Sequence, residues 1–136
     1  MTSVNQSEQN QQLVRRLYED CFNTGNMNLV PEMIATDFSS NRGEHGQAEF
    51  AANIAGLRKA FPDVRFVIED LFGSADRVAV RWSFTATHSA PFAGIAPTGK
   101  AVTQQGNVIY HIRDGKIAQA WVQIDRLALM QQLGAL

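Results

Sequence analysis

The sequence predicts an α+β fold: a cone-shaped, strongly curved antiparallel sheet with N-terminal helices packed on its concave face. Three observations lead there. Apolar residues recur at helical spacing as far as Phe61. From Val64 the period changes to two and stays so to Ile124. Within that second stretch Asp114-Gly115 separates two long alternating runs, a hairpin signal, because glycine takes positive φ without steric cost. Helices followed by consecutive strands make α+β rather than a parallel α/β sheet.

Taken in order, residues 1–6 read as a flexible tail. A helix is predicted over Glu8 to Asn23, where Leu13, Val14, Leu17, Tyr18, Cys21 and Phe22 form one apolar stripe. Ser3 or Ser7 is placed to cap it and Gly25 to end it. A short helix follows over Asn28 to Ala35, with Pro31 in its first turn. Thr36 to Gly46 carries loop chemistry. A third helix spans Gln47 to Phe61, with Phe50, Ile54, Leu57 and Phe61 on one face, and Pro62-Asp63 stops it.

In the strand region Val64, Phe66, Ile68 and Phe72 share a parity, and Gly73 to Asp76 is a turn. Val80, Trp82, Phe84 and His88 then share one face with Val78 and Ala86. Ser89 to Gly99, with two prolines and two glycines, is a loop over one end of the sheet. The hairpin from Val102 to Ile124 puts Val108, Tyr110, Ala120 and Val122 inward, so its lining is nearly all apolar with one phenol in it. His111, Trp121 and Gln123 point outward. Asp125 sits at the N-cap of a final helix that runs to Leu133 and ends at Gly134.

The 136 residues suit one domain and one core, residues 1–136. A net charge of −1 without a basic or acidic block gives no electrostatic case for nucleic acid or for an anionic membrane. No apolar run reaches the length of a membrane span, and the polar stretch from Met1 to Gln12 does not read as a signal peptide. Cys21 is the one cysteine and has no internal partner, which fits a reducing, cytoplasmic setting. No Cys/His cluster with metal spacing, phosphate loop or nucleophile elbow is present.

Thr87-His88, the run Phe92 to Lys100, Asp114-Gly115-Lys116-Ile117, Trp121, Asp125 and Gln132-Leu133-Gly134 resemble the SnoaL-like polyketide cyclases of the nuclear transport factor-like superfamily. Phe22-Asn23-Thr24-Gly25 and Phe61-Pro62-Asp63 add to the resemblance, which covers about residues 10–134. It implies an α+β cone, a homodimer, and ring closure of a polyketide methyl ester by intramolecular aldol addition without a cofactor. It also implies an aspartate acid/base with a histidine and an asparagine nearby. Carried over one at a time, those positions fall on Val122, on Val108, and on Ser40 with Asn41 beside it. Valine has no group that exchanges a proton, so neither valine does acid/base work.

The remaining candidates each have two readings. His88 is either a proton donor or acceptor in the cavity or a loop anchor. Tyr110 is either a donor to a ligand carbonyl or a core tyrosine with a backbone partner. Tyr18 reaches the cavity from the first helix or simply packs in the core. Asp125 reads as an N-cap before it reads as a base, and Asp70 as a solvated or ion-paired carboxylate. The expected pocket thus comprises Tyr18, Val80, Trp82, Phe84, His88, Val108, Tyr110, Ala120 and Val122. Its occupant is a small apolar molecule, with no cofactor and no metal. Three functions follow from this: a cofactor-free cyclase or isomerase with His88 as acid/base, a non-catalytic binder, or a dimerising accessory domain.

Overall fold

The computed structural model describes residues 3–135. Met1 and Thr2 lie outside the described residues, but the rest of the expected tail is helical: α1 runs over Ser3–Arg16. Ser7 therefore sits inside the helix, where its hydroxyl accepts from Gln11. The helix continues as a π-helical turn over Leu17–Phe22. The Asn23 N–H reaches back five residues to the Tyr18 carbonyl at 3.0 Å. A 3-10 turn, Met27–Leu29, leads into the one-turn helix α2, Val30–Met33. Helix α3 spans Gly46–Ala60 and α4 spans Arg126–Gln132.

Four strands follow the helices as expected: β2 (Arg65–Ser74), β3 (Arg77–Thr87), β4 (Ala101–Arg113) and β5 (Lys116–Ile124). Every pairing among them is antiparallel. A further strand corrects the sequence reading. Ile34–Ser40, expected to be the end of a helix and then a loop, is β1, and it pairs parallel with β5. The open sheet is therefore mixed, in the order β1-β5-β4-β3-β2. No alternating pattern marks β1: Ile34, Ala35 and Phe38 are buried while Thr36 and Asp37 are exposed. It is held from outside, by the β5 ladder and by the Gln47 amide donating to the Ile34 carbonyl at 2.8 Å.

A second correction concerns Phe72. The register slips between Ile68 and Asp70, so two residues of β2 oppose one of β3. One extra residue exchanges the faces of everything beyond it. Leu71 thus turns toward the core and Phe72 is left 64% exposed. Asp70 faces solvent in an ion pair with Arg81, Nε to Oδ2 at 2.8 Å.

Helix α1 packs on β2 and β3, α3 on β1, and α4 on β4. Between helices and sheet lies one core, in which Leu17, Phe38, Phe61, Phe84, Ile117 and Leu129 are all but inaccessible. Strand β4 alternates without a break along most of its length: Val102, Gln104, Gly106, Val108, Tyr110 and Ile112 all point inward.

Gly106 serves that alternation by its lack of a side chain. A Cβ there would lie 2.3 Å from Trp82 Cζ2, since the indole lies across the glycine on the neighbouring strand. The ring then stacks on Phe84 with centroids 5.9 Å apart and planes 7° from parallel. Gly106→Ala is accordingly expected to destabilise the fold by about 1–3 kcal/mol through overpacking, read as a lower denaturation midpoint. An unchanged midpoint would show that the indole shifts freely.

Candidate functional site

The sheet, α3 and the π-helical turn enclose a cavity of about 310 Å³. Phe66, Trp82 and Phe84 form one wall, with Phe22, Phe50 and Leu57 from the helices opposite. Val108, Ala120 and Val122 form another wall, and Val108 and Val122 are direct cross-strand partners.

Polar groups enter at few points. Tyr18 and Tyr110 both line the cavity, and their hydroxyls share a hydrogen bond of 2.7 Å. The π-helical turn places Tyr18, and the inward parity of β4 places Tyr110. Such a widened turn inside a helix often marks a functional position. Burial raises the Tyr18 pKa well above the usual phenol value, and the neighbouring Tyr110 raises it further. Burial likewise raises Tyr110; the Tyr18 hydroxyl draws it back and the Glu44 charge pushes it up again. Both phenols are therefore neutral across the ordinary pH range, one donating to the other and the second keeping its O–H free. Glu44 itself lines the cavity, and its carboxylate accepts from Ser40 Oγ at 2.8 Å and from the Asn53 amide. Gln104 is buried in the wall, and Arg42 and Arg126 stand at the edge.

Of the residues expected from sequence, Tyr18, Trp82, Phe84, Val108, Tyr110, Ala120 and Val122 line this cavity. Val80 is buried in the core and does not. The expectation that His88 faces the cavity needs correction as well. Its ring is fully buried against Phe61, with centroids 5.5 Å apart. Its Nδ1 lies 3.0 Å from Thr98 Oγ1 and accepts from the Thr98 N–H, while its backbone pairs with Lys100 and Gly99. His88 is thus a loop anchor: it keeps the inward parity of β3 past Thr87, but its ring packs on Phe61 and bonds Thr98 instead of lining the cavity.

Other residues are explained the same way. Asp125 is the N-cap, accepting from the Ala128 N–H at 3.1 Å. Asn41 does not enter the cavity; its amide pairs with both the N–H and the carbonyl of Val122. Cys21 is buried, and burial pushes its thiol up, away from nucleophilic reactivity. His111 faces outward and meets Asp76 Oδ2 at 3.0 Å. Among the described residues no three His, Cys, Asp or Glu side chains gather around a common point, and no helix is long and apolar enough to cross a membrane.

Sequence reasoning missed Glu44, Gln104, Arg42 and Arg126. Only Gln104 carried a signal, since it shares the parity of Val108 and Tyr110. The other three come from a loop and a helix start, where no periodicity shows which side chain turns inward.

The profile of the SnoaL-like polyketide cyclases matches residues 12–133. Aklanonic acid methyl ester cyclase of Streptomyces galilaeus is 30% identical over 130 residues, covering 89% of this chain and 88% of that protein. Among solved structures, a candidate SnoaL-like polyketide cyclase from Jannaschia superposes with a TM-score of 0.88 at 26% identity, covering 96% of this chain and 94% of that one. AclR, a candidate hydroxylase from Streptomyces galilaeus, superposes with a TM-score of 0.85 at 27% identity, covering 96% and 98%.

The chain's two tyrosines are the two that share the hydrogen bond, so tyrosinate absorbance reports on this pair alone. A free tyrosine ionises near pH 10. Because folding raises both values, the stability the pair contributes is fully present below about pH 10 and is lost as the pH climbs toward the folded values. In an alkaline titration, tyrosinate is expected to appear only together with unfolding. A phenol that titrates near pH 10 while the circular dichroism stays native would contradict the burial described here.

Proposed function

The chain belongs to the SnoaL-like polyketide cyclase family, and from that premise we propose that its cavity holds a small, largely apolar, polyketide-like molecule and acts on it by cofactor-free cyclase- or isomerase-type proton transfer. The observation that carries the reading is the Tyr18–Tyr110 hydroxyl pair in a mostly apolar cavity, with the Glu44 carboxylate on the same lining. One phenol of the pair donates to the other, and the second hydroxyl keeps its proton to donate to an oxygen that gains negative charge when a proton leaves the neighbouring carbon. Glu44 is the carboxylate available on that lining to take the proton. The family's acid/base positions correspond here to Val122 and Val108, so the proton-transfer groups of this chain differ from those the family resemblance implies.

That apolar valine pair favours a second reading, in which the protein binds such a molecule without changing it. A proton-exchange assay separates the two. A polyketide-like diketone is incubated with the protein in deuterium oxide, and exchange of the C–H between its carbonyls is followed by nuclear magnetic resonance. The parent is expected to accelerate exchange, and Glu44→Gln to lose about 10²–10⁴-fold of that acceleration with binding retained. Tyr110→Phe is expected to lose part of it. Ring closure of aklanonic acid methyl ester, the compound in the relative's name, is expected to stay undetectable with the parent. Binding without accelerated exchange would establish the carrier reading instead.

The outer face of the sheet supports a homodimer. Trp121 and its cross-strand partner Ile109 are 41% and 48% exposed, an apolar pair on the side away from the cavity. Trp121→Glu is expected to yield a monomer by light scattering at micromolar concentration, where the parent is a dimer. A monomeric parent would refute this assembly.

A further inference from the structure

Two guanidinium groups stand at the edge of the cavity without an ion-pair partner among the described residues. Arg42 comes from the segment between β1 and α3, and Arg126 opens α4; both contribute to the cavity lining. Arg15, Arg16, Arg77, Arg81 and Arg113 each have a carboxylate within ion-pair distance. Arg42 and Arg126 have none among the described residues. The carboxylates nearest in sequence are engaged elsewhere: Glu44 with Ser40 and Asn53, Asp125 with the Ala128 N–H. Arg126 is also held in place, its guanidinium 5.2 Å from the ring centroid of Phe92, which itself lines the cavity.

We propose that Arg42 and Arg126 form the specificity site for a free carboxylate on the ligand, so that the preferred ligand is an aromatic or polyketide-like acid rather than its methyl ester. The inference rests on the cavity being the ligand site, as proposed above. Two like charges facing one opening are unfavourable while it is empty, and partial burial followed by the neighbouring Arg42 charge lowers the Arg126 pKa. A carboxylate reverses that balance, because the planar guanidinium matches it with paired N–H donors. The rest of the molecule then enters the apolar cavity past Phe92 and Trp82. A methyl ester offers neither the charge nor the second acceptor of equal strength, and gains less from the pair.

The test is calorimetric titration with an anthraquinone carboxylate and with its methyl ester, which share the ring system and differ in charge. The parent is expected to bind the acid at least about tenfold more tightly at low salt, with the ratio shrinking as salt is raised. Arg42→Gln and Arg126→Gln are each expected to cut the acid-to-ester affinity ratio, and the double variant to bring it to about one. Equal binding of acid and ester by the parent, or a preference that survives in the double variant, overturns the carboxylate site and leaves the cavity reading standing. Failure of both compounds to bind overturns the cavity reading and this inference with it.

Discussion

The bond between the Tyr18 and Tyr110 hydroxyls ties the helical layer to the sheet at the place where the cavity begins. Each phenol buries its ring among aromatic neighbours: Tyr18 lies edge-on to Phe22 and Phe66, with centroids 4.7 and 5.8 Å away. Each hydroxyl has the other as its protein partner. A buried hydroxyl deprived of its partner costs about 1–3 kcal/mol, so a slip of the helix along the sheet is penalised twice, once at each phenol.

With that tie fixed, polar side chains complete what the backbone ladders leave open. The Asn23 amide pairs with both the N–H and the carbonyl of Phe66, at 2.7 and 3.0 Å, joining the end of the π-helical turn to β2. Asn41 does the same for Val122 after β1 ends. Asp63 accepts both the N–H and the hydroxyl of Thr87, and that N–H above all holds its carboxyl below the usual range. His88 binds Thr98 one residue further on. These clamps fall where helices and strands end, around the segments that carry Arg42, Glu44 and Phe92 to the cavity. Function-bearing loops on a rigid scaffold need such anchoring, since they have no ladder of their own.

The fold was legible from the sequence wherever period two held without interruption. The β4–β5 hairpin has one buried and one wet face, so its cavity-facing residues Val108, Tyr110, Ala120 and Val122 can be read off by counting. Counting failed at single-residue events. The slip after Ile68 turned Phe72 outward, and His88, inward by count, packs on Phe61 instead of lining the cavity. Strand β1 was hidden for another reason: its Thr-Asp-Phe-Ser-Ser run has loop composition, and it is a strand only because β5 offers it an edge. The edge of the candidate site was illegible on the same grounds. Arg42 and Glu44 owe their places to a loop path set by tertiary contacts that no local pattern encodes.

Fold and chemistry therefore separate in this molecule. The cavity shape follows from the sheet, the aromatic wall and Gly106, all of which a relative can share while its reaction differs; AclR, with nearly the same backbone, is described as a hydroxylase rather than a cyclase. On the proposed reading any reaction would come from the few polar groups that reach the lining, and their positions are uneven. The wall at Val108 and Val122 is apolar, the phenol pair has one O–H free to donate, and the charged groups Arg42, Glu44 and Arg126 come from loops and a helix start rather than from the strands. A ligand that fits this distribution places its apolar rings against the valine and aromatic walls, a carbonyl toward the phenols, and its charge toward the arginines. If the arginines select the ligand as proposed, the order of those three contacts fixes which of its carbons lies near Glu44, and so where a proton would be lost.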